Sequence, residues 1–255
     1  MANPDADVYP TATERAAETV ALHQSPEPLV LWAGWFCPFA QRTWITLEEK
    51  GIPYKYTEVN PFVKEKHFLD INPRGMVPAI EYNGRAIYES LILCEFLEDQ
   101  FPSTGPQMLP SDPVDRATAR IWIDHVAKSI LPTFMRVVQS QDPAKQASAL
   151  VEFYSALRTF AAEVKEPFFL GETFSLVDVA IAPWIMRDHV LVTHRGYERA
   201  AASDAWARYA ALVETRDSVL RTTSAKEHYT GIYARYLDNT AQSVVAKAVR
   251  EGKPF

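Results

Sequence analysis

The sequence has little cysteine. Two cysteines in 255 residues exclude a disulfide framework and fit a reducing, cytoplasmic setting. It also has no run of Lys or Arg, and its formal net charge is −6. A general binder of nucleic acid or anionic membrane would need basic patches instead. No stretch approaches the ~20 apolar residues that cross a bilayer. The start, Met1 to Asp7, is acidic and lacks the apolar segment of a secretory signal. Glycine is sparse, nine residues, and none forms a phosphate-cradling loop. The six histidines are scattered. His189 and His194 have no Glu or Cys at ligand spacing, so no metal site is expected. No Ser/His/Asp arrangement can be assembled.

What is present is ordinary for a globular chain: 47% apolar and 23% charged residues. The length suits one large domain or two smaller ones. Residues 1–26 are polar and Ala-rich and read as an N-terminal extension. Leu29–Ala33 reads as a strand and Pro38–Lys50 as a helix, with Ala40, Thr43, Trp44 and Leu47 on one stripe. Gly51 stands where a left-handed helix end is wanted. Strand composition follows over 53–59, then a short helix over 63–70 and a turn at Asn72-Pro73-Arg74-Gly75. The runs 77–82 and 85–88 flank Asn83-Gly84, a strong hairpin signal. A helix over 89–100 completes a compact α/β domain, 27–101.

The proline-rich segment 102–112 reads as a linker. No convincing strand follows it. The periodicity predicts helices over 114–138, 145–165, 176–189, 203–214 and 226–237, so 113–255 reads as an all-helical domain. Ser175-Leu176-Val177-Asp178 is a capping box opening a nearly all-apolar, buried helix.

Chemistry concentrates at Trp35-Phe36-Cys37-Pro38-Phe39. Pro38 suits the first helical position, where its missing N–H is no loss. Cys37 then falls at the N-cap, beside unpaired N–H groups and the positive end of the helix dipole. A thiol there has a lowered pKa and is a candidate nucleophile. Cys94, mid-helix beside Phe96 and Leu97, reads as a small buried hydrophobe.

These motifs resemble the glutathione transferase superfamily. The resemblance is carried by Cys37-Pro38-Phe39, Asn72-Pro73-Arg74-Gly75-Met76-Val77-Pro78, Tyr88-Glu89-Ser90 and the Ser175 capping box. A Cys in this setting after an N-terminal extension looks like the omega class and its fungal relatives. The likeness is densest over 29–100 and fades in the C-terminal tail. It implies a thioredoxin-like domain followed by a helical domain, with glutathione as co-substrate. It assigns Cys37 as the catalytic residue. It places Glu89 on the ammonium and Ser90 on the carboxylate of the γ-glutamyl end. Val77, presented by a cis Val77-Pro78 bond, would pair its backbone with the cysteinyl residue. Lys64 would meet the glycyl carboxylate, and Phe39 would line the thiol end.

The resemblance further implies thiol transfer and glutathione-dependent reduction through a mixed disulfide on Cys37, rather than conjugation. Lowering a thiol pKa by roughly two units raises the thiolate fraction about thirty-fold, while nucleophilicity falls about tenfold. The larger benefit is that a low-pKa thiolate leaves faster on the return step. Ala40 stands where a thioredoxin has its second Cys, so a second glutathione must resolve the intermediate. An aromatic or phenolic second substrate is expected between the domains, against Trp122, His125, Ser129, Tyr229 and Tyr233. A homodimer is implied, and a role in detoxification. Two other readings stay open: a non-catalytic carrier of aromatic ligands, and a chloride-channel-like omega relative.

Overall fold

A computed structural model describes residues 3–63 and 65–254. The chain divides into two compact units: residues up to Leu109 with Thr215–Lys226, and Pro110–Glu214 with residues from Glu227 onward.

The first unit opens with a helix that the sequence did not signal, α1 (Glu14–Leu22), within the polar extension. Then come β1 (Leu29–Ala33), α2 (Pro38–Lys50), β2 (Lys55–Glu58), α3 (Lys66–Ile71), β3 (Ala79–Tyr82), β4 (Arg85–Tyr88) and α4 (Ser90–Gln100). The sheet order is β2-β1-β3-β4. β1 runs parallel to β2 and antiparallel to β3, and β3 forms the hairpin with β4. Asn83 and Gly84 both take positive φ, as a tight hairpin turn requires. In β1, Leu29, Leu31 and Ala33 are buried, and α2 packs on α4. Trp32, on the other face, meets His67 and Phe68 of α3. This is a thioredoxin-like domain with a four-stranded mixed sheet.

The extension is an integral part of this unit. Thr13 N–H donates to Ser224 Oγ at 3.1 Å, and Ala225 N–H donates to Thr13 Oγ1 at 3.0 Å. The edge strand β2 has its outer Tyr56 N–H taken by His23 O at 2.8 Å, which blunts an exposed edge.

The second unit begins with α5 (Pro113–His125), capped by Asp112. A π-helical turn, Val126–Ile130, joins it to α6 (Leu131–Gln139). One unbroken α-helix over 114–138 was expected. Pro132 explains the difference: it has no N–H to donate and its ring crowds the preceding turn. The widened turn accommodates it and shifts the phase of the residues beyond.

Next come α7 (Pro143–Ala161), α8 (Leu176–Ile185), α9 (His189–Arg195), α10 (Arg199–Ala202) and α11 (Asp204–Glu214). The helix expected over 176–189 ends early. Arg187, Asp188 and Val190 donate to Trp184, Ile185 and Arg187, three residues back, so the chain tightens before restarting. α12 (Asp217–Arg221) belongs to the first unit, and α13 (Lys226–Leu237) and α14 (Val244–Glu251) complete the chain. Asp178 anchors the core of the helical unit. Its carboxylate accepts from Phe169 N–H (2.8 Å), Ser175 N–H (2.7 Å), Ser175 hydroxyl (2.6 Å) and Tyr209 hydroxyl (2.7 Å). No described helix is long and apolar enough to cross a membrane.

Candidate active site

Cys37 sits at the N-cap of α2 with φ −76° and ψ 119°, and Pro38 follows at the first helical position. Its N–H closes a turn onto Gly34 O at 2.9 Å, and its carbonyl accepts from Gln41 at 3.0 Å. The turn is held tightly. A Cβ on Gly34 would lie 3.0 Å from Val59 O, so any side chain there would crowd that backbone, which glycine avoids. Val59 N–H in turn donates to Ala33 O at 2.7 Å. Trp35 is fixed twice: its backbone N–H donates to Glu58 Oε1 at 3.0 Å and its indole N–H to Tyr9 O at 2.8 Å. Phe36 stacks on Phe62, ring centres 6.0 Å apart.

The Cys37 sulfur lies 3.8 Å from Val77 O. Val77-Pro78 is cis, and both residues are buried. A backbone edge therefore stands beside the thiol. Phe39 is half-buried in the first turn of α2, with the Arg42 guanidinium 5.5 Å from its ring centre. Arg42 is 2% exposed. Burial pulls it down to about 10, against the opposing charges of Cys94 and Cys37, so it stays cationic at neutral pH.

The two thiols occupy different surroundings. Cys94 is 1% exposed and accepts from Thr46 hydroxyl at 3.2 Å. Burial pushes its thiol up to about 11, against the Thr46 hydrogen bond and Arg42. Cys37 is partly exposed. Glu58 is the other perturbed group beside the loop: burial pushes its carboxyl up to about 7, against hydrogen bonds from Trp35 N–H and Tyr56 hydroxyl.

Glu89 and Ser90 open α4. Glu89 is the N-cap with φ +78°, a left-handed conformation for a residue with a side chain. Such a conformation costs on the order of 1–3 kcal/mol and tends to mark functional positions. Ser90 is 8% exposed, and its carbonyl accepts from Thr43 hydroxyl at 3.4 Å. Glu89 forms an ion pair with Arg74 of the preceding turn. The first unit thus carries Cys37, Phe39, Val77, Pro78, Glu89 and Ser90. Lys64 lies outside the described residues.

The residues expected to meet a second substrate belong to the helical unit. Trp122 and His125 are one helical turn apart, with ring centres at 5.2 Å. Trp122 packs on Phe169 at 5.5 Å, and His125 stacks on Phe160 and contacts Ala156 O at 3.1 Å. Ser129 lies inside the π turn. Tyr229 and Tyr233 are buried on α13, Tyr229 with Arg187 4.7 Å from its ring centre.

Models of the glutathione S-transferase N-terminal and C-terminal domains match residues 36–100 and 122–212. The structure of glutathione transferase Omega 3C from Trametes versicolor is 63% identical, with a TM-score of 0.87 over 91% of this chain and 100% of that one. The chain belongs to the glutathione S-transferase family, as an omega-like member. Pig glutathione S-transferase omega-1 is 33% identical over 64% of this chain and 68% of its own. Rice GST1, solved in complex with glutathione, is 29% identical with a TM-score of 0.73, covering 81% of this chain and 94% of that one. A glutathione-dependent transferase activity, with glutathione as co-substrate, follows from this membership.

Within this family frame, sequence reasoning passed over three residues. Arg74 lies inside the quoted turn motif but reads only as a turn residue. Glu58 reads as a strand residue, since its partner Trp35 is 23 positions away. Arg42 carried a weak signal, a charge on the helix that follows Cys37.

Proposed function

We propose that this transferase moves glutathionyl groups through Cys37. The Cys37 thiolate attacks the glutathionyl sulfur of a mixed disulfide R–S–S–G. The old S–S bond breaks, and RS⁻ leaves and takes a proton from water. The thiolate of a second glutathione then attacks the Cys37 adduct, producing glutathione disulfide and regenerating the Cys37 thiolate. Atoms and charge balance in both steps, and Ala40 leaves external glutathione as the resolving thiol.

The observation that carries the reading is the Cys37 sulfur 3.8 Å from Val77 O, at the start of α2. A bound cysteinyl residue pairing with the Val77 backbone would bring its sulfur to the same place. Glu89 suits the γ-glutamyl ammonium, Ser90 its carboxylate, Lys64 the glycyl carboxylate and Phe39 the thiol end. We assign an aromatic or phenolic second substrate to Trp122, His125, Ser129, Tyr229 and Tyr233. The active form is a cytoplasmic homodimer; sedimentation as a monomer would refute that part.

The test is intact mass after exposure to glutathione disulfide. Wild type should gain one glutathione, lose it on addition of reduced glutathione, and show no adduct as Cys37→Ser. An adduct that survives Cys37→Ser would sink the mechanism. A carrier role would show instead as tight quenching of tryptophan fluorescence by phenols in a protein without turnover.

A further inference from the structure

We infer that Arg74 sets specificity for the γ-glutamyl end by binding its α-carboxylate, in exchange for the Glu89 carboxylate with which Arg74 is paired. The inference rests on the glutathione reading above and deepens it.

Arg74 and Glu89 are 15 residues apart in sequence and meet as an ion pair. Arg74 stands on a turn fixed from both sides by Asn72. Asn72 Oδ1 accepts from Arg74 N–H at 3.1 Å, its Nδ2 donates to Met76 O at 2.7 Å, and its carbonyl accepts from Gly75 at 2.8 Å. The guanidinium therefore leaves from a rigid base. Glu89 is equally fixed, at the strained N-cap of α4. The side chains themselves are 55% and 46% exposed. An exposed pair of this kind is worth about 1 kcal/mol or less, so a ligand can open it at little cost.

The ligand end is a zwitterion, with ammonium and carboxylate on one carbon. Glu89 takes the ammonium, but its charge then stands close to the ligand carboxylate and repels it. A cation between them removes the repulsion, and Arg74 is already in contact with Glu89. Opening the pair to admit the zwitterion gives guanidinium, ligand carboxylate, ligand ammonium and Glu89 carboxylate in alternation. Every charge keeps an opposite neighbour. The planar fork of Arg matches a carboxylate with two hydrogen bonds, which a Lys point charge does not.

The experiment is calorimetric binding of two peptides to wild type, Arg74→Ala and Arg74→Lys. One peptide is glutathione. The other is γ-aminobutyryl-cysteinyl-glycine, the same molecule without the α-carboxylate. Wild type should prefer glutathione by more than tenfold, about tenfold of it being the size of the one charge-assisted contact from Arg74. Arg74→Ala should lose about tenfold of that preference, binding glutathione about tenfold more weakly and the analogue as before, and keep only the part that Ser90 supplies. Arg74→Lys should lose less of it. Equal weakening of both peptides in Arg74→Ala, or an unchanged preference, overturns the Arg74 assignment alone. Wild type that binds neither peptide overturns it together with the glutathione reading. Thermal unfolding shows that each variant is folded; the half-exposed side chain of Arg74 leaves its backbone hydrogen bond to Asn72 in place on substitution.

Discussion

At its N-terminus α2 presents a partly exposed thiol that caps nothing with its side chain. At its C-terminus the same helix is tied down at three successive residues. Lys50 is buried, donating to Glu98 at 3.0 Å and to Pro106 O at 3.2 Å. Glu49 accepts two hydrogen bonds from Arg216, both at 2.7 Å. Glu48 accepts from Tyr54 hydroxyl at 2.7 Å and pairs with His23 and Arg221 at 3.1 and 2.7 Å. The two ends of one helix thus divide the labour. Groups whose hydrogen bonds are spent within the fold give a rigid post. The end with the partly exposed sulfur is the one to which the chemistry is assigned.

The largest effect is expected at the anchored end. Lys50→Met leaves Glu98 buried without its cation, and Glu98 also accepts from Met108 and Leu109 N–H at 2.8 and 3.3 Å. A loss of about 3 kcal/mol is expected, measured by urea unfolding. Glutathione turnover per folded molecule should hold.

A smaller effect is expected at Glu58, beside the reactive end. Its folded value of about 7 lies above its ordinary 4.5. The stability given by the protonated form is full below about 4.5 and is lost as pH rises through 7. Glu58→Gln, neutral throughout, should therefore exceed wild type at pH 8 by on the order of 2 kcal/mol and match it in acid. Parallel pH profiles for the two proteins would contradict this titration of Glu58. The least effect belongs to Arg15→Ala, which removes an exposed pair with Asp217. It should cost below ~0.5 kcal/mol, even though it lies on the docked extension.

The sheet, α2 and the hairpin were legible because their signals are local: Pro38 at a helix start, Gly51 at its end, Asn83-Gly84 at the turn. The Ser175 box opens its helix at Leu176 in the same way. Contacts between distant segments were not legible. Nothing near Thr13 announces Ser224, 211 positions on, and nothing near Trp35 announces Glu58. Other features had signals that periodicity overrode. Pro132 marks the π turn, Asp142 with Pro143 marks the start of α7, and Ser243, whose hydroxyl accepts from Ala246 at 3.0 Å, marks α14. Of the candidate site, the residues on helix starts and the strand edge were readable. The Arg74–Glu89 pair was not, since each residue is intelligible alone as part of a turn or a cap.

The most direct measurement is competitive labelling of the native protein by iodoacetamide at pH 7, mapped by peptide mass spectrometry. Cys37 should be alkylated more than about 100-fold faster than Cys94, reduced glutathione should not alter that order, and unfolding in guanidinium should make the two equal. Equal labelling in the native state, or a Cys37 that reacts only after unfolding, would contradict the assignment of the chemistry to the start of α2.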